Sequence, residues 1–201
     1  MNENCASASA IGYMSYALGL WITGVSEARW AHGSPAAIGA MTLPLAILLL
    51  IAGVLCFMGK RGLDSIVFLG GAAYLWSDHS LVLLFGVPQV SPPPAFIGWF
   101  DISWAVFFGL AFIAAFEAHR QRTLFLLVMT VRLLAYAIEH WSGAHAILTI
   151  AGYLGLATAL LAGIISAKEI MTHLRANAGE ERGSVAPGPD RSGGLGVHRM
   201  S

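Results

Sequence analysis

Charge is what this sequence has least of. Only 11% of its 201 residues are Asp, Glu, Lys or Arg, where soluble domains carry about 25%. Hydrophobic residues make up 57%, and mean hydropathy is +0.70. That balance excludes an ordinary water-soluble globule and points to an integral membrane protein built as one compact bundle. Formal net charge is zero, so no basic excess argues for a nucleic-acid partner. Cysteine is nearly missing. Cys5 and Cys56 lack metal-ligand spacing, and both are expected near the cytoplasmic side, so a disulfide is not expected. There is no phosphate-binding loop, because "GKRG" at 59–62 reads as a turn. The opening "MNENCASASA" has no basic n-region of a signal peptide and carries Glu3 instead. The first apolar stretch is therefore expected to stay as a membrane helix.

What the chain does have is long hydrophobic runs. A spanning helix needs about 20 mainly apolar residues. Six such stretches are expected, at about 10–28, 36–58, 63–86, 96–116, 123–141 and 146–168. The proline-rich "VPQVSPPPAF" breaks the chain between the third and fourth. The expected fold is an all-α integral membrane protein, a six-transmembrane-helix bundle. Residues 1–9 form a short N-terminal segment and 10–172 the membrane domain. Residues 173–201, rich in Gly, Pro, Ser and Arg, form a disordered cytoplasmic tail. Basic residues orient the bundle. Lys60, Arg61, Arg120, Arg122, Lys168, Arg175, Arg182, Arg191 and Arg199 all fall on one side of a six-span chain, against Arg29 on the other. Both termini are thus expected in the cytoplasm.

Ala151, Gly155, Ala159, Gly163 and Ala167 recur every four residues on the sixth helix, and Ser15, Gly19 and Thr23 make a shorter run on the first. Such stripes let helices approach closely, either within the chain or between subunits.

The polar residues inside the apolar runs are the candidates for function. A charge at mid-membrane costs roughly 2.5–3.5 kcal/mol on insertion scales. Arg132 lies ~14 Å into the fifth helix and stays charged at any accessible pH. It needs water, a counter-charge or a passing anion. Tyr136 and Glu139 follow it on the same helical face. Asp78 and His79 lie ~22 Å along the third helix, and Asp101, Glu139 and His140 lie toward the outer end. Asp78, His79, Glu139 and His140 are read as a charge or proton relay, against the plainer reading that groups near helix ends simply reach the interface.

Three stretches resemble the acetate uptake transporter family, also called the succinate–acetate permease family. They are "GYLGLATALLA" (152–162), "WAVFFGLAFIAAFEAHRQRTLFLLVMTVRLLAYAIEHWSGAHAIL" (104–148) and "AGVLCFMGKRGLDSIVFLGGAAYLW" (52–76). The resemblance covers about residues 7–172. It implies six-helix protomers assembled as hexamers in the cytoplasmic (inner) membrane, each with its own pathway for small monocarboxylates such as acetate, or succinate in some members. Flux in the family is described as proton-coupled or as channel-like. By resemblance the narrow part of that pathway falls on Tyr16, Ala72 and Met129, with Tyr74 and Trp76 as the nearest aromatics. Two departures stand out. The family's Asn-Pro-Ala-Pro-Leu-Gly signature is replaced by Ser7-Ala8-Ser9-Ala10-Ile11-Gly12, and "GGAAYLW" at 70–76 replaces a run that carries the narrowing tyrosine. The second predicts a constriction wider on one wall.

The expected function is a transporter or channel for a small carboxylate, with no cofactor and no enzymatic step. The expected partners are the solute, protons, the lipid bilayer and further copies of the chain. One rival is a channel for a small neutral solute such as urea or a short amide. Another is a membrane-embedded hydrolase with zinc held among Asp78, His79, Glu139, His140 and His145, although none of these has the i, i+4 spacing of a ligand pair on one helix.

Overall fold

The computed structural model describes residues 3–84, 93–116 and 120–184, with side chains over 7–34, 36–77, 93–116 and 120–175. Every regular element in it is a helix. The six are α1 (Glu3–Glu27), α2 (Pro35–Met58), α3 (Gly62–Leu84), α4 (Pro94–Ala115), α5 (Arg120–Ser142) and α6 (His145–Ser184). Local chemistry sets several of the boundaries. Ser34 caps α2 by accepting the Ala37 amide at 3.2 Å, and a proline follows in the first turn, where its missing N–H costs nothing. Pro94 opens α4 in the same way. At the other ends the chain turns through the left-handed region at Arg29, Lys60 and Gly143.

α2, α4, α5 and the 145–175 stretch of α6 are long and apolar enough to cross a membrane. α1 and α3 complete the six. Their inward faces carry Ser9, Ser15, Asp64 and Ser65, all buried. The outward faces are apolar: Leu18, Leu50, Phe57, Val106, Leu110 and Leu160 are all exposed, as on a protein solvated by hydrocarbon. α6 departs from expectation. It continues to Ser184, past position 173, where the tail was expected to begin. The stretch after 166, "AKEIMTHLRANAGEER", is mostly Ala, Lys, Glu, Met, Leu and Arg, which are good helix formers. Residues 185–201 and most of the proline-rich turn lie outside the described residues.

The helices close into a ring in chain order. Each packs on its neighbours in sequence, and α6 returns to pack on α1. All six contribute to one core, which contains Tyr13, Tyr16, Leu49, Phe68, Phe108, Phe125, Met129, Leu133 and Ala162. The closure between α1 and α6 is made by glycine. A Cβ on Gly152 would overlap the Ala28 backbone nitrogen, and one on Gly24 would lie 3.0 Å from the Gly152 carbonyl oxygen. Ser166 adds a hydrogen bond to the Ala10 carbonyl at 2.8 Å. Gly152→Ala is expected to force the two backbones apart and destabilise the fold by about 1–3 kcal/mol. Thermal unfolding in mild detergent measures this, and an unchanged midpoint would refute the close packing.

The small-residue stripe of α6 is used inside the chain. Ala151 and Ala159 are buried, Gly155 faces the Arg132 side chain, and Gly163 faces Ala17. Only Ala167 lies at the surface.

Candidate functional site

α5 carries two buried arginines, ten residues and therefore ~15 Å apart. Arg122 is 9% exposed and Arg132 3%. Each is neutralised by carboxylates from distant parts of the chain.

At the first station Asp64, 1% exposed, gathers four partners. Arg61 Nε approaches it at 3.0 Å and Arg122 Nη2 at 3.3 Å. Ser9 and Tyr13 donate their hydroxyls to it, both at 3.2 Å. Glu169 on α6 bridges the same arginines, at 2.9 Å to Arg61 and 2.6 Å to Arg122. Arg122 also lies over the Tyr13 ring, 5.8 Å from its centre. α1, α3, α5 and α6 are thereby tied together at the end where the basic residues cluster.

At the second station Arg132 Nη2 donates to Thr23 at 2.8 Å, to both Glu27 carboxylate oxygens at 3.0 Å, and to the Tyr136 hydroxyl at 2.5 Å. The guanidinium lies 5.0 Å from the Tyr136 ring centre. Gly155 makes room for it, since a Cβ there would sit 3.0 Å from Arg132 Nε. That Nε is buried without a hydrogen-bond acceptor. The counter-charge is thus Glu27, from the end of α1. Beyond it, His140 Nδ1 lies 3.1 Å from Asp101 Oδ2 and 2.9 Å from the Tyr136 carbonyl oxygen. Asp101 Oδ2 is buried without satisfactory hydrogen-bond geometry. Glu139 sits 3.9 Å from His140 and 3.8 Å from His145.

Between the two stations lies an aromatic waist. Tyr16 packs on Phe125 with ring centres 5.2 Å apart, and Tyr13 packs on Phe68 at 5.0 Å. Tyr16, Ala72 and Met129 are all buried in this one cluster. The Tyr16 hydroxyl donates to the Val67 carbonyl at 2.7 Å and fills the notch left by Gly71, while Phe107 fills the one at Gly70. Rings from α1 and α4 thus occupy the space beside both glycines. Tyr74 is buried against Phe100, with centres 6.0 Å apart and nearly parallel, and against Trp104 at 5.7 Å. Trp76 is 53% exposed and is not brought to the waist. Asp78 and His79 lie on α3, with side chains outside the described residues.

Glu27 and Asp64 were not singled out from the sequence, and Thr23 was read only as part of a small-residue run. Glu27 and Asp64 stand at the predicted ends of helices, where carboxylates ordinarily meet water. The one available signal was the need of buried arginines for counter-charges. Among the described residues no three His, Cys, Asp or Glu side chains gather as metal ligands.

No protein-family model matches the sequence, and no curated protein matches it. The fold has a solved counterpart. The structure of the bacterial acetate channel SatP superposes with a TM-score of 0.75 at 18% identity, over 90% of this chain and 97% of that one. The likeness lies in the fold.

Proposed function

We propose that the chain is a multi-pass protein of the inner membrane, with six spans and cytoplasmic termini, that conducts a small monocarboxylate such as acetate. The observation that carries this reading is Arg132. It is buried at mid-helix with one N–H unmatched, inside a helix ring of the fold seen in an acetate channel. A guanidinium offers a carboxylate a planar pair of donors. The solute would pass from the Asp64–Arg122 station through the Tyr16–Met129 waist to Arg132. Tyr136 and the Asp101–His140 pair then form the far mouth. A histidine beside a carboxylate suits proton exchange near neutral pH, so coupling to protons belongs to that pair. Neither Glu27 nor Asp64 acts as a catalyst in this scheme; each keeps an arginine folded into the core. Assembly as a homohexamer rests on the family resemblance alone, since the α6 stripe is occupied within the chain.

Flux in liposomes at two pH values tests the reading. Acetate uptake is expected to saturate and to rise as the outside pH falls, while urea uptake stays at the level of empty liposomes. Urea flux equal to acetate flux would instead establish a neutral-solute channel.

A further inference from the structure

At the basic end of the ring an open pocket of about 370 Å³ lies between the start of α5 and the far part of α6. It is lined by Arg61, Arg120, Arg122, Lys168, Glu169 and Thr172, among others. Its charges do not cancel among the described residues. Arg61 and Arg122 are neutralised by Asp64 and Glu169. Arg120 and Lys168 are exposed and carry two further positive charges on the same wall. We infer that this pocket binds a phosphate-bearing anion, held between the Arg120 guanidinium and the Lys168 ammonium.

The donor set favours phosphate over the small carboxylate of the pathway. Arginine matches two oxygens of a phosphate with its fork, and lysine adds a point charge. The pocket is also far roomier than a two-carbon acid requires. Its place suggests the source. Arg120 is the first residue of one membrane-crossing segment, and Lys168 and Thr172 lie in the last third of another. Exposed apolar side chains, Ile164, Ile170 and Met171, continue along α6 beside it. Basic pockets between helices at that level take anionic lipid headgroups. A free phosphate ion offers the same chemistry.

The test uses the full-length protein and Arg120→Gln/Lys168→Gln. Both side chains are exposed, so folding should persist. Native mass measurement after incubation with phosphatidylglycerol is expected to show one retained lipid per chain. Phosphatidylcholine should not be retained, and the double variant should lose phosphatidylglycerol at least fivefold. Arg29→Gln, which removes a charge at the opposite end, should retain it. If phosphatidylglycerol is not retained but inorganic phosphate raises the unfolding midpoint above chloride at equal ionic strength, and does so only in the unmodified pocket, the occupant is free phosphate. The inference is overturned by any of three results. The two lipids are held equally and phosphate gives no shift, the double variant binds like the unmodified protein, or acetate stabilises as well as phosphate.

Discussion

Arg132→Ala is expected to lose most of its folded protein, not merely its flux. Removing the guanidinium strands Glu27, whose side chain is 17% exposed and has Arg132 as its ion-pair partner at 3.0 Å. Breaking a buried pair from one side costs about 3–5 kcal/mol, a large share of the roughly 5–15 kcal/mol that holds a domain together. Replacing both partners by apolar residues of similar size removes the stranded charge. Arg132→Met/Glu27→Leu should therefore recover the unfolding midpoint to within a few degrees of the unmodified protein. The double variant should still fail to carry acetate in liposomes, because no guanidinium fork remains at the second station to pair with a carboxylate. Expression yield, thermal midpoint and flux are read on all three proteins. Normal acetate flux through a stable double variant would reduce Arg132 to a structural tie and sink its place on the pathway.

The second large effect is expected at Gly71. Its missing side chain is occupied by the Tyr16 phenol, which is itself fastened to the Val67 carbonyl. A methyl group at this position meets a ring held in place, not the loose end of a side chain. Gly71→Ala should destabilise by about 1–3 kcal/mol and abolish flux by displacing Tyr16 within the waist. Tyr16→Leu in the same chain removes the ring and should recover most of the stability, giving a strongly non-additive cycle. Tyr16→Leu alone should also let larger monocarboxylates through. Additive losses in the cycle would show that the two residues do not meet.

How far these features were legible in the sequence depends on what each required. Helix limits set by local chemistry were readable. α2 was expected at 36–58 and is found at Pro35–Met58, because a proline and a glycine bracket an uncharged run. The anomaly of Arg132 was also readable, since hydrocarbon penalises a fixed charge whatever surrounds it. Its partner was not, because the pairing with Glu27 spans 105 residues and no local pattern encodes it. Resemblance placed Tyr16, Ala72 and Met129 at the narrow part of a pathway, and all three are buried in the core. Which rings fill the space beside Gly70 and Gly71 was not readable, because glycine on one helix says nothing about which ring from another fills the gap. The stripe on α6 could be read two ways, and only packing distinguishes a neighbour in the same chain from one in another.

A ring that closes between its first and last helices also imposes an order on biogenesis. α1 emerges from the ribosome with Glu27, and the residue that neutralises it follows 105 positions later. At about 5–20 residues per second of synthesis, that carboxylate waits on the order of 5–20 s for its arginine. During that interval α1 carries an unpaired acid and a glycine surface with nothing to grip. A chain that stops before α5 keeps that uncompensated acid, so the pairing that stabilises the finished ring is unavailable to every shorter product.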